Sequence, residues 1–143
     1  MLDILHRVIE PSLIACVEIK SRNAIWEELD RLLSICVNYI CGPLFLMYET
    51  QNEEIKELGY PVIKQINDSS LETKIIGRCE VFSTFHFGSY DEIDGVIHSF
   101  LNSLGDVIDR SDLLIKEIYH EFYPEKDDEN VIEIQVIIPL EIE

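Results

Sequence analysis

Apolar positions along the chain change period in a regular order. The run "LIACVEIK" (13–20) has the β-branched and apolar content of a strand, after which Ile25, Leu29, Leu32, Leu33, Cys36, Val37 and Ile40 recur at helical spacing until Gly42 and Pro43. The runs "PLFLMYET" (43–50) and "YPVIKQI" (60–66) read as strands, joined by the charged connection "QNEEIKELG". A polar linker, "NDSSLETK", precedes a second series. In it "CEVFSTFHF" (79–87) is strand-like, Ser89 with Glu92 three residues on is a helix-start signal, and Ile93, Val96, Ile97, Phe100, Leu101, Leu104 and Ile108 form one helical face. Two more strands follow, "LLIKEIYHEFY" (113–123) and "VIEIQVIIPL" (131–140), separated by "PEKDDEN".

The order β-α-β-β thus occurs twice, in pseudo-repeats at about 11–66 and 79–140. A repeated unit with one amphipathic helix predicts an α+β fold with pseudo-twofold symmetry, both helices packed on one side of antiparallel sheets and a central ligand cleft where the units meet. Strands 44–49 and 113–120 are expected beside the symmetry axis.

Composition narrows the partners. The 143 residues, 47% hydrophobic and 27% charged, suit a single domain over 1–143 with a buried core. Against 11 Lys and Arg stand 28 Asp and Glu, a formal charge of -17 that repels nucleic acid and anionic membranes and favours cations. Cys16, Cys36, Cys41 and Cys79 lack CxxC spacing and are expected to be reduced core thiols. Asp3, His6, Arg7, Glu10 and Glu18 interrupt the N-terminal apolar residues, so neither a signal peptide nor a transmembrane run is expected there, which points to the cytoplasm. His6, His86, His98 and His120 have no metal-ligand spacing, and His86 has no accompanying Ser or Cys nucleophile pattern. No metal or cofactor is expected.

The chemistry that stands out is in "LIKEIYHEFY" (114–123). By the strand period, Ile115, Glu117, Tyr119 and Glu121 share a face, although Leu114 and Ile118 could equally mark the inner one. If the Glu117 face is the core face, its carboxylate must be hydrogen-bonded, pair with a cation or hold a proton, because burying an unpaired charge is very costly. The alternative is a carboxylate at a sheet edge. Tyr119 would supply ring surface or a phenol beside it.

Several strings, taken in order, resemble the GyrI-like small-molecule-binding domain, the effector-binding module of AraC-type and MerR-type multidrug regulators. "CGPLFLMYE" is similar to that family's "GPPF-x-x-Y" strand and "ELGYPV" to its "E-x-G-x-PV". "FHFGSYDEI" is similar to its "H-x-G-x-Y" turn, "KEIYHEF" to its "E-x-Y" strand and "EIQVIIPL" to its closing "EI-x-IPL". The match runs from about Pro11 to Leu140. It implies that Glu117 takes the place of the glutamate at the floor of an apolar, aromatic-lined pocket, where lipophilic cations bind, and that Tyr48, from the other unit, forms a second wall. Trp26, beside the first helix stripe, is a further pocket candidate, whereas His86, Gly88 and Tyr90 are expected to be structural.

Departures from the pattern matter too. Gln135 stands where the closing strand often has glutamate, four residues before Pro139, with Glu133 two earlier. That puts a second pocket carboxylate in doubt. The resemblance takes up the chain, with no room for a helix-turn-helix unit, so a stand-alone domain without direct nucleic-acid or membrane contact is expected. The leading functional expectation is binding or sequestration of lipophilic, cationic or aromatic small molecules. The alternatives are a hydrolase of reactive cyclopropanoid compounds using Glu117 and Tyr119, as in some stand-alone relatives, and a modulator of a protein partner, as in gyrase inhibitors.

Overall fold

The computed structural model describes residues 3–105, 113–123 and 127–140. Eight strands, β1 (Leu5–Ile9), β2 (Ser12–Ile19), β3 (Phe45–Glu49), β4 (Asn52–Pro61), β5 (Glu72–Ile76), β6 (Cys79–Phe87), β7 (Leu114–Glu121) and β8 (Val131–Pro139), form one curled sheet. Their order is β1-β6-β8-β7-β3-β4-β2-β5, and every neighbouring pair is antiparallel. Helix α1 (Ile25–Cys36) lies between β2 and β3, and α2 (Ile93–Ser103) between β6 and β7.

The strand order reads the same way from both sides of its centre. β3 and β7 pair in the middle, each followed outward by the last and then the first strand of its own β-α-β-β unit. The expectation that 44–49 and 113–120 lie at the axis therefore holds. Each outer edge is closed by a strand leading into the opposite unit: β1 pairs β6, and β5 pairs β2. Neither edge strand was assigned from the sequence.

Both helices follow one packing rule. Buried Ile25, Leu32 and Cys36, with half-buried Leu29 between them, have their counterparts 68 residues on in Ile93, Ile97, Phe100 and Leu104. All eight join one cluster with Ala15, Val17, Leu46, Leu58, Ile115, Ile132, Ile134 and Val136, which places both helices on the same face of the sheet. Each such large side chain, fully buried, contributes about 1.5–3 kcal/mol. Leu33 and Val37, assigned to the α1 stripe, are exposed, and α1 ends at Cys36 rather than at Gly42. The last residue of the α2 stripe, Ile108, lies outside the described residues.

Other expectations need correcting. The charged segment 51–59 is not a loop but most of β4, and the strand expected at 60–66 ends at Pro61. Its first four residues are exposed, so pairing, not burial, makes it a strand. Ser89 accepts a hydrogen bond from the Asp91 amide (3.2 Å) and caps a 3-10 turn, Tyr90–Glu92, with α2 starting only at Ile93. Gly88 takes φ 130°, a conformation that side chains rarely adopt, which is the backbone need the turn implied. Cys41 is exposed, unlike the other three cysteines.

Candidate functional site

Glu117 sits on the helix-covered face, between Leu46 of β3 and Ile134 of β8, and is completely buried. Period 2 along β7 puts Ile115 and Tyr119 on that face with it, and Tyr48 of β3 arrives diagonally, opposite Ile115. The β3–β4 register shifts between Met47 and Glu49, so Tyr48 stands at an irregularity of the kind that re-aims a side chain. Tyr48 donates its phenol to Glu117 Oε2 at 2.8 Å, and Tyr119 donates to Oε1 at 2.9 Å. Two of the expected site residues, Tyr48 and Tyr119, therefore both bond a third, Glu117. Trp26 does not join them: it is 46% exposed and stacks on Phe122 at 5.2 Å.

The charge of Glu117 is balanced by a residue the sequence reading passed over. Arg22, first residue of the 3-10 turn Arg22–Ala24 that leads into α1, pairs through Nη1 with Glu117 Oε1. The same nitrogen donates to the Tyr90 phenol at 2.9 Å, while Nη2 donates to the Tyr48 phenol and to Asp94 Oδ1, both at 3.2 Å. The guanidinium carbon lies 5.6 Å from the Tyr48 ring centre and 5.5 Å from that of Tyr90, within cation–π range. Arg22 is therefore held by a carboxylate floor, two aromatic walls and an acid at the rim.

Hydrogens can be assigned through the cluster. Tyr119 has a single O–H, spent on Glu117, so the 2.9 Å contact between the Tyr90 and Tyr119 phenols has Tyr90 as donor. Burial, and then the Glu117 charge, pushes the Tyr48 phenol well above its ordinary range, Tyr90 up to about 12 and Tyr119 well up. Burial alone would lower the Arg22 pKa; its hydrogen bond to Glu117 and that charge outweigh burial and raise it. Breaking such a buried pair by removing one partner costs about 3–5 kcal/mol. Lys56, over the Tyr48 ring at 4.7 Å, is lowered by burial and then by the Arg22 charge.

Phe122 closes the aromatic side, 5.0 Å from Tyr119 and 5.1 Å from Tyr90, with Trp26 outside it. The site draws on both units: Arg22, Trp26 and Tyr48 come from the first, Tyr90, Asp94, Glu117, Tyr119 and Phe122 from the second. Arg22 and Tyr90 occupy matching places, each three residues before a helix start, and that repeat offset is the signal that could have found them. Tyr90, expected to be structural, is thus part of this cluster. His86 is buried, with Nε2 2.7 Å from the Ser89 carbonyl.

Glu133 and Gln135 face the other side of the sheet. Glu133 is opposite Ile118, not Glu117, and bonds Arg7 (2.7 Å), His120 (2.9 Å) and Gln135 (2.8 Å). A cavity of about 510 Å³ on that side is lined by Cys16, Met47, Glu57, Glu72 and Leu114 and reaches Tyr48, but not Glu117, Tyr119 or Arg22. Cys16, Glu57 and Glu72 lie close enough there to share an ion, but Lys74 supplies the positive charge, 2.5 Å from Glu57 and 3.2 Å from Glu72. Burial, then the hydrogen bond to Glu57, pushes the Cys16 thiol far up, away from nucleophilic or ligating thiolate. No helix among the described residues is long and apolar enough to cross a membrane.

No family model and no curated protein matches the sequence. Solved structures do match in shape. The EcmrR C-terminal domain superposes with a TM-score of 0.78 at 12% identity, over 98% of this chain and 99% of that one. Within EcmrR in its DNA complex the chain spans 58% of the length, at a TM-score of 0.76. SAV2435 bound to tetraphenylphosphonium gives 0.62 at 6% identity, over 96% and 94%, and a hydrolase from Listeria innocua gives 0.58 at 9%, over 94% and 91%. At these identities the likeness is one of fold, and the fold of this chain is the GyrI-like one that its ordered motifs resemble.

Proposed function

We propose that this chain binds lipophilic small molecules carrying a delocalised positive charge, with Glu117 as counter-ion and Tyr48, Tyr90, Tyr119 and Phe122 as walls. The observation that carries this reading is a buried carboxylate, set among aromatic rings at the centre of the molecule, with a cation held against it. Such a box suits a weakly hydrated aromatic cation: ring faces attract it, and a desolvated carboxylate selects it over a neutral shape. Tetraphenylphosphonium in SAV2435 supports a ligand of this class for the fold. A hydrolytic role finds less support, because both Glu117 oxygens already accept hydrogen bonds, which leaves the carboxylate poorly placed to activate water.

The test is calorimetric affinity for tetraphenylphosphonium and for neutral triphenylphosphine oxide, in wild type and in Glu117→Gln. The amide keeps size and shape while removing charge, so the cation should lose about 1–3 kcal/mol and the neutral compound little. Equal losses for both would reject the counter-ion role. Product masses from incubation with strained electrophiles separate turnover from binding.

A further inference from the structure

We infer that Arg22 is an intramolecular ligand of the Glu117 site, and that an incoming cation binds by displacing it onto Asp94. This rests on the reading of Glu117 as a counter-ion and deepens it by naming the ligand head group and what that group competes with. The guanidinium of Arg22 meets the charged floor and two of the four walls proposed for a ligand: the Glu117 carboxylate, the Tyr48 and Tyr90 rings and the phenols of both. It is also the outer layer of the cluster, with its side chain 20% exposed above a carboxylate that is 0% exposed.

The backbone carrying Arg22 is lightly anchored. The 3-10 turn Arg22–Ala24 buries no residue, Ser21 makes no side-chain cap, and Ala24 caps α1 without a side-chain bond. The corresponding turn at Tyr90–Glu92 is capped by Ser89. Of the three residues of the turn, Ala24 packs against the core and Arg22 is held by its side chain, so the turn has no cap to keep Arg22 in place once that side chain lets go. An exit is prepared as well: Asp94, 83% exposed at the rim, already accepts from Nη2 at 3.2 Å, so an Arg22 that swings out keeps an anionic partner. The head group best fitted to take its place is one of the same planar, delocalised kind, an arylguanidinium or arylamidinium, with its ring toward Phe122 and Trp26.

Competition of this kind makes apparent affinity proportional to the fraction of molecules with Arg22 out. Removing Arg22 should therefore strengthen the binding of cations but not of neutral ligands, while lowering stability. The experiment measures phenylguanidinium and its neutral isostere phenylurea on wild type and Arg22→Ala by calorimetry. It also follows Trp26, the single tryptophan, by fluorescence and the Arg22 side chain of the wild type by NMR. Expected are a gain of about tenfold or more for phenylguanidinium in the variant, little change for phenylurea, and movement of the Arg22 signals and Trp26 emission as the wild type is saturated. Equal phenylguanidinium affinity in both proteins, with Arg22 signals unmoved, overturns the displacement while leaving the Glu117 reading in place. No binding to either protein overturns both. Should Arg22→Ala not fold with its buried carboxylate unpaired, the wild-type NMR titration decides: moved Arg22 signals support the inference and unmoved ones overturn it.

Discussion

A buried carboxylate among phenols leaves a mark on the alkaline side of pH. Tyr48, Tyr90 and Tyr119 are all raised by burial and then by the Glu117 charge, Tyr90 to about 12. A phenol whose folded pKa exceeds its unfolded value of about 10 holds its proton more tightly in the native state. Its stabilising contribution is complete below about pH 10 and is lost as pH climbs through 10 to 12 and beyond. Phenolate absorbance from these tyrosines should therefore appear together with the loss of circular dichroism. Tyr90→Phe, which removes a donor to Tyr119 and an acceptor for Arg22, should cost about 1–2 kcal/mol and advance that transition. Reversible titration of every tyrosine near pH 10, with native dichroism intact, would contradict the network. The strand period groups Glu117 with Tyr119 but leaves open which face is inner, and Tyr90 reads as structural in its turn. Glu117, Tyr119 and Tyr48 were legible from the motif resemblance. Arg22 was not: in "SRNAIW" an arginine before a helix looks like a solvated residue, and only the three-dimensional return of the turn over β3 and β7 shows its partner.

Elements were legible where they bury apolar side chains and silent where they do not. α1, α2 and β7 carry a period that matches their covered face, and β6 and β8, buried on both faces, read as near-continuous apolar runs. β1 and β5 are exposed or half-buried throughout, and the first four residues of β4 are exposed, so their hydrogen bonding leaves no hydrophobic trace. Two glycines inside elements have opposite meanings that composition cannot distinguish. A Cβ on Gly59 of β4 would stand 2.4 Å from the Ala15 carbonyl oxygen and 2.9 Å from Cys16 Cβ, forcing β2 and β4 apart. A Cβ on Gly95, exposed on α2, would meet nothing within 4 Å. Gly59→Ala should destabilise by about 1–3 kcal/mol as overpacking does, and Gly95→Ala should stabilise by about 0.5–1 kcal/mol through helix propensity. Urea melts of both variants check the pair, and a destabilised Gly95→Ala would mean that its helix face is covered by something else.

At the scale of the whole molecule, the repeat raises the question of which unit opens first. One possibility is that the two β-α-β-β units separate along the β3–β7 seam; another is that the sheet frays from its outer strands. The seam is five register pairs long and is stitched across by Tyr48 to Glu117, Arg22 to Glu117 and Arg22 to Tyr90, three contacts that each join one unit to the other. β7 is further tied to β8 by seven register pairs. β1 and β5, by contrast, have five residues apiece, a partner on one side only and little buried surface. Local opening follows buried apolar contact and the number of hydrogen bonds lost together, so the edges should open at a small fraction of the global free energy, and the seam only with the whole sheet. Hydrogen–deuterium exchange should accordingly show early exchange in 5–9 and 72–76 and the slowest exchange in 114–119 and 132–138, with 45–49 close to the slow group. Because the stitching runs through Glu117, Glu117→Gln should accelerate 45–49 and 114–119 while leaving the edge strands unchanged. Early exchange at 45–49 and 114–119 in the wild type, ahead of β1 and β5, would show instead that the two units part as bodies and that the Glu117 cluster does not hold them together.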